Sequence, residues 1–385
     1  FGQGLLLSGG FSTGKSSFVT NIKRAGRKVR PYTSVNEAIF LRGGAAHLQF
    51  GDHFNFVAFG SYRSRDANIT QLDTLENFEV PAFTSLQLSG LHRTPNEIED
   101  EGAINQLTTG ASLEWRSRQS HLAANFVYTE FDADFNRNTQ PYNQFQFSSG
   151  SLVGGSLDYS FLWRNINFFG ETAVSDNGGF ATTNGALIGL DRRIDLAILY
   201  RNFSRDYQSL FGDPFAETIG GSNEAGLYLG LDIKPSYNWQ FSAYFDTWSH
   251  PWLRFGVDAP SQGYEYLAQA RYRIKRKLEV YVRLRDEYRQ RNRPANETNI
   301  DFLIWERRTQ LRANFSYIIS KGLEVRNRIE LILFKEDDLP LSRGFLAYQD
   351  LIVKPVGSPL SFTGRFAIFD TDDFDSRIYA YENDI

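Results

Sequence analysis

The sequence predicts an all-β fold, a large up-and-down antiparallel β-barrel, on three observations. Apolar and polar residues alternate with a period of two along most of the chain, which is typical of strands with two different faces. Short and long connections between these strands alternate. Aromatic residues make up 15% of the chain beside 22% charged residues, which suits strands that face lipid on one side and water on the other.

The alternation is clearest in the second half of the chain. In the stretch 278–285, Leu278, Val280 and Leu284 fall on one face, and Glu279 and Arg283 fall on the other. The stretches 265–275 and 310–319 repeat this pattern. Counting such stretches gives roughly 18 or 19 strand candidates and predicts a barrel of roughly 18–20 or more strands.

The connections give the barrel a direction. The short links are 51–53, 117–120, 164–165, 191–193, 235–238, 276–277, 321–322 and 356–359. The long polar loops are 66–81, 134–150, 206–223, 250–262, 290–304 and 336–341. Outer-membrane barrels have tight turns on the periplasmic rim and long loops outside the cell. We therefore expect an outer-membrane protein with its short links in the periplasm and its long loops extracellular.

Composition limits the other classes of protein. The chain has 385 residues, a net charge of −4, no Cys and five scattered His, so we expect one domain over residues 1–385, no cofactor, no metal site and no nucleic-acid partner. No run of about 18 apolar residues predicts a transmembrane helix. Because the chain begins at Phe1 and ends within a strand-like stretch, we expect both ends to be truncated.

Aromatic residues near strand ends predict contact with a bilayer. We expect a girdle at the membrane interface formed by Trp115, Trp163, Trp239, Trp248 and Trp305. The partners would then be outer-membrane lipid and lipopolysaccharide, and in one hypothesis other envelope proteins. A soluble all-β protein is the alternative, but no repeat of the length expected for propeller blades is found.

A charged ladder is predicted on the polar faces of four successive strands. It consists of Arg271, Arg273, Glu279, Arg283, Arg285, Arg308, Arg312, Arg326, Arg328 and Glu330. Cross-strand pairing would bring these side chains together inside the barrel. The ladder could be a selectivity surface or a wall on which a plug docks. A salt-bridged lumen that stiffens the barrel is the favoured interpretation, because both signs of charge are mixed.

Two patterns suggest chemistry. Residues 9–16, ending in Gly14, Lys15 and Ser16, match the phosphate-binding P-loop pattern. No strand–helix alternation follows, so we interpret the run Leu5–Leu7 and this motif as part of the first strand and a basic loop. His92 precedes an acidic stretch and His250 lies near Asp246, so either could be half of a catalytic dyad in a barrel hydrolase. We expect both to be structural and the chain not to be an enzyme.

The first part of the chain resembles a family of Bacteroidota outer-membrane proteins. The resemblance rests on residues 1–5, 14–16, 21–24, 30–34, 36–37 and 40–43, and near the end on residues 375–384. It implies helix-hairpin-helix repeats before the barrel and further strands after it. The family's function is unassigned, so the resemblance implies no site residues.

Two functional hypotheses follow. The first is a porin-like barrel or transporter that passes a solute through a charged lumen. The second is a scaffold subunit of an envelope transport or secretion complex, suggested by the long loops and the basic stretch 23–30. The barrel hydrolase is an alternative, and a nucleotide-binding P-loop protein is a further one.

Overall fold

The computed structural model describes residues 1–8, 15–24, 29, 40–73, 79–87, 90–218, 220–293, 300–337 and 339–381. Within them the chain forms strands joined by turns and loops, and one short helix. The strands are β1 Gly43–Phe50, β2 Phe54–Arg65, β3 Ala67–Asp73, β4 Glu79–Leu86, β5 Ile104–Arg116, β6 Ser120–Phe131, β7 Asp134–Phe135, β8 Ser151–Trp163, β9 Ile166–Ser175, β10 Phe180–Asp191, β11 Ile194–Phe203, β12 Glu224–Ile233, β13 Trp239–His250, β14 Ser261–Ile274, β15 Leu278–Asn292, β16 Leu303–Ser320, β17 Leu323–Glu336, β18 Ser342–Val353 and β19 Phe362–Thr371. The helix is α1 Pro95–Glu99.

The main sheet confirms the predicted all-β, up-and-down architecture. Sixteen strands run in the order β1-β2-β5-β6-β8 and then β9 to β19 without interruption, and each is antiparallel to its neighbours. This is fewer than the predicted 18–20, because β3, β4 and β7 form a separate three-stranded sheet. Among the described residues β1 and β19 are the two edges of the main sheet.

The small sheet explains why the predicted loop 66–81 contains strands. Ala67 and Phe83 of its hairpin pack with Phe131, Phe135 and Phe147 in a cluster of buried apolar side chains at the long-loop rim. These side chains give the small sheet an apolar core of its own. The polar composition of residues 66–81 does not indicate this core.

Strand register separates the two faces of the main sheet. Val282 is opposite Ala313 on the outer face, while Arg283 is opposite Arg312 on the inner face. Apolar side chains on the outer face are strongly exposed, for example Leu113 at 51%, Leu157 at 60% and Ile329 at 52%. An outer face covered with exposed apolar side chains, opposite a charged inner face, is typical of transmembrane β-barrels. The chain is therefore an outer-membrane type of barrel.

The two rims differ as the sequence predicts. All the short links join consecutive strands at one end of the sheet, which we call the short-link rim, and the longer loops lie at the other. Two connections at the long-loop rim are themselves short, residues 176–179 between β9 and β10 and residues 337–341 between β17 and β18, and the second is shorter than the link 354–361 at the other rim. Among the described residues no helix is long and apolar enough to span a membrane.

The interpretation of Leu5–Leu7 as part of the first strand is wrong. Among the described residues the first strand begins at Gly43, and Leu5 and Leu6 are instead buried inside the sheet. Gly2 and Gly4 have φ angles of 52° and 89°, which an extended strand does not tolerate. The Gly9–Gly14 part of the P-loop motif and most of the basic stretch 23–30 lie outside the described residues.

Candidate functional site

Two pieces of chain lie in the lumen. We call residues 1–8 and 15–24 the inner segment, and residues 204–218 and 220–223, between β11 and β12, the inward loop. Leu7 and Phe211 form an isolated parallel bridge between the two, and the Asp213 N–H donates to the Gly4 carbonyl at 2.8 Å. Residues 206–223, predicted as a long loop on the extracellular side, therefore fold into the barrel, and the side of the membrane that their rim faces stays a prediction. The loop folds inward because its apolar and acidic side chains find partners there.

The inner segment contacts strands that are far apart in the sheet order. The Phe1 ring lies 5.9 Å from the Phe59 ring on β2, and the Phe18 ring lies 6.0 Å from the Arg271 guanidinium on β14. The inner segment therefore lies along the inner face of the sheet, from β2 to β14.

Glu171 on β9 holds the start of the inner segment. One oxygen of its fully buried carboxylate accepts the backbone N–H groups of Gln3 at 2.6 Å and Leu5 at 3.0 Å. A Cβ atom at Gly2 would lie 2.5 Å from the Glu171 carboxyl carbon, so glycine allows this close approach. Two backbone donors on one carboxyl oxygen thus anchor the start of the segment to β9.

Lys15 is a second anchor. Its Nζ lies 2.5 Å from a Glu217 oxygen, 2.9 Å from Asp246 and 3.7 Å from Glu265, and 3.9 Å from the centre of the Trp248 ring. Burial opposes its charge, but the three carboxylates outweigh burial and hold the pKa of Lys15 above its ordinary value. Lys15 therefore keeps its positive charge at neutral pH and loses it as the pH rises through that raised pKa.

This setting argues against nucleotide binding by the P-loop pattern. A P-loop lysine contacts phosphate, whereas Lys15 is already neutralised by carboxylates that would repel a phosphate. Residues 15–24 are not helical, although a P-loop needs a helix directly after the motif.

Arg201 on β11 organises the wall behind Lys15. Its guanidinium is fully buried, contacts both Asp246 oxygens at 2.8 and 3.1 Å, and donates to Glu224 at 2.5 Å. Glu224 in turn accepts the backbone N–H groups of Glu217 and Thr218 in the inward loop at 3.0 Å. One network of charges thus links the barrel wall, the inward loop and the inner segment.

Apolar packing completes the docking of the inner segment. Val19 and Ile22 are buried against the wall with Phe169, Leu199 and Tyr228. The Tyr228 hydroxyl donates to the Val19 carbonyl at 3.0 Å. On the same strand, a Cβ atom at Gly230 would lie 2.6 Å from that carbonyl oxygen, so this position fits the segment only as glycine.

The predicted charged ladder lies wholly on the inner face, on β14 to β17. Arg285 bonds Glu265 at 2.7 Å and Arg312 bonds Glu330 at 2.7 Å. Phe18 of the inner segment contacts the ladder at Arg271. The main anchors of the inner segment are other residues on β9 to β14. A role of the ladder in solute selectivity stays a prediction.

Four of the five predicted girdle tryptophans lie on the outer face. Trp115, Trp163 and Trp239 are exposed beside the short links, and Trp305 is exposed near the long-loop rim. The prediction is wrong for Trp248, whose side chain is 3% exposed and lies on the inner face next to Lys15. It shares a strand face with Asp246, two residues away, and cannot reach lipid.

Only one of the two histidine pairs that were considered as alternatives is formed. His92 Nε2 lies 3.1 Å from Asp66, at an exposed position of the long-loop rim. The alternative of a dyad between His250 and Asp246 is not formed, because the His250 ring bonds the Asn223 carbonyl and the Asp246 carboxylate bonds Arg201 and Lys15.

Comparison with known proteins gives distant likenesses. No protein-family model and no curated protein matches the chain. Among solved structures, a BenF-like porin from Pseudomonas fluorescens Pf-5 is 8% identical with a TM-score of 0.36, over 84% of this chain and 94% of that one. Pseudomonas aeruginosa OccK10 (OpdN) is 10% identical with a TM-score of 0.34, over 83% and 90%. Acinetobacter baumannii OccAB1 is 9% identical with a TM-score of 0.35, over 88% and 93%.

Proposed function

We propose that the chain is a porin-like outer-membrane channel whose inner segment closes the lumen and must move before solutes pass. The observation that carries this proposal is the charged network of Lys15, Glu217 and Asp246. A segment held only by apolar packing would be a permanent plug of the lumen. A segment held by ion pairs around one lysine can be released by disturbing few contacts, which is what a gate requires.

The orientation of the channel is part of the proposal. With short links in the periplasm, as in other outer-membrane barrels, the inward loop enters the lumen from the extracellular side. Both pieces of chain then meet at the Leu7–Phe211 bridge inside the membrane. Once the inner segment has moved, solutes would pass along the inner face of the wall, which includes the charged ladder on β15 to β17.

Conductance in planar lipid bilayers tests the gate. Wild-type protein should show low current with rare openings. Gly230→Val should open the channel far more often, because its side chain collides with the Val19 backbone without changing any charge. The matched control is Gly60→Val, since nothing lies within 4 Å of a Cβ at Gly60 on the outer face. Equal currents from folded wild-type and Gly230→Val protein would contradict the gate.

A scaffold subunit of an envelope complex is the second candidate. The contacts of the inner segment with many strands favour this candidate, because they would keep the lumen filled. A barrel that serves only to bind partner proteins needs no open path through its lumen. Purification in mild detergent would then yield partner proteins at a fixed stoichiometry. If Gly230→Val protein conducts no current and such partners are found, the scaffold function is favoured over the channel function.

A further inference from the structure

A cavity of about 370 Å³ lies at the short-link rim, between the inner segment and the wall. The inner segment contributes Gln3, Lys23 and Arg24. The wall contributes the link between β5 and β6 and the ends of β8 and β9. This volume is in the range of small-molecule sites. Any molecule bound there would touch the movable segment and the fixed wall together.

The charges around the cavity are unbalanced. Arg24 is paired with Asp213, and Arg116 is paired with Glu114. Asp158, the carboxylate in the lining, lies 2.8 Å from His121. In the part of the chain that the structure describes, Lys23 and Arg118 have no carboxylate within ion-pair distance.

Lys23 is the focus of this imbalance. Its Nζ donates to the Ser160 hydroxyl at 2.7 Å and to the Asn167 side-chain oxygen at 2.8 Å, and both acceptors are neutral. The side chain is half-buried, and this burial lowers the pKa of Lys23. An ammonium has three donors, so one remains for a ligand. A partly desolvated cation with neutral partners gains more from an added anion than an exposed one does.

We propose that this cavity binds a small, multiply charged oxyanion, and that its occupation holds the inner segment against the wall. Lys23 would supply the central charge and Arg118, at the exposed mouth, the second. The second half of the proposal rests on the gate proposed above. It follows from linkage: a ligand that touches segment and wall binds the docked state better and shifts the equilibrium toward it.

Calorimetric titration of the purified barrel with inorganic pyrophosphate tests the site. Wild type should bind it, and Lys23→Met should weaken the affinity by about tenfold or more. Asn167→Asp is an isosteric second variant that places a carboxylate beside Nζ, and it should weaken the affinity similarly. Lys277→Met, at an exposed short link of the same rim, should bind as wild type does.

The outcomes separate the two halves of the proposal. Absence of binding by wild type, unchanged affinity in folded Lys23→Met or Asn167→Asp, or an equal loss in Lys277→Met would overturn the site, whether or not the barrel conducts. If the site is present, pyrophosphate added on the short-link side should also reduce the current through a variant with a loosened segment, such as Gly230→Val. Binding without any effect on that current would overturn the linkage to the gate.

Discussion

Replacing Lys15 by Met is expected to open the channel. The change leaves Glu217, Asp246 and Glu265 close together without the ammonium that separates their charges. Removing one partner of a buried ion pair costs about 3–5 kcal/mol, because the remaining charge stays buried. If about 3 kcal/mol of this falls on the docked state, the undocked fraction rises by roughly 100-fold. Single-channel recordings should show this as a higher open probability.

A double variant separates the ion pairs from general damage. Among the described residues Lys15 is the ion-pair partner of Glu217, whereas without Lys15 Asp246 keeps Arg201 and Glu265 keeps Arg285. Lys15→Met combined with Glu217→Gln should therefore open less than Lys15→Met alone, since the least compensated charge is gone. Lys277→Met provides the reference for loss of an exposed lysine. Additive effects of the two substitutions would show that the proposed pairing does not hold the segment.

Replacing Arg201 by Met is expected to destabilise the barrel itself. The guanidinium is 0% exposed and neutralises Glu224 and Asp246, both also fully buried. The expected loss is about 3–5 kcal/mol of unfolding free energy. Denaturant unfolding in detergent micelles, followed by tryptophan fluorescence, measures it.

Two reference variants sharpen this prediction. Arg201→Lys keeps the charge but cannot make the two parallel bonds to Asp246, so its loss should be intermediate. Arg192→Met removes an arginine from an exposed short link and should leave the unfolding free energy unchanged within about 0.5 kcal/mol. An Arg201→Met barrel as stable as the Arg192→Met barrel would contradict the importance of the network.

The main sheet could be predicted because its signal is local. In β15, Leu278 to Arg285 alternate between faces, and this pattern depends only on neighbouring residues. Trp248 lies near the end of β13, where a girdle residue is expected, but it is an even number of residues from Asp246 and therefore shares its inner face.

The occupied lumen could not be predicted in the same way. The carboxylates around Lys15 come from the inward loop, β13 and β14. The residues next to Lys15 in the sequence give no indication of these distant partners. A run as short as Leu5–Leu7 looks alike whether it pairs in a sheet or packs against an inner wall. A weak signal in the sequence does indicate the buried network of Arg201, Glu224 and Asp246. The three residues carry opposite charges and occupy inner positions on three successive strands.

A reversible tether between the inner segment and the inward loop tests the central claim most directly. Leu7 and Phe211 are bridge partners, and the strand spacing of about 4.8 Å lies within the range that a disulfide spans. The chain has no Cys, so Leu7→Cys with Phe211→Cys introduces a single possible disulfide. In a Lys15→Met background, we expect oxidation to return the current to the wild-type level and reduction to restore the open channel. A current that is the same in the oxidised and reduced protein would contradict the claim that the inner segment closes this barrel.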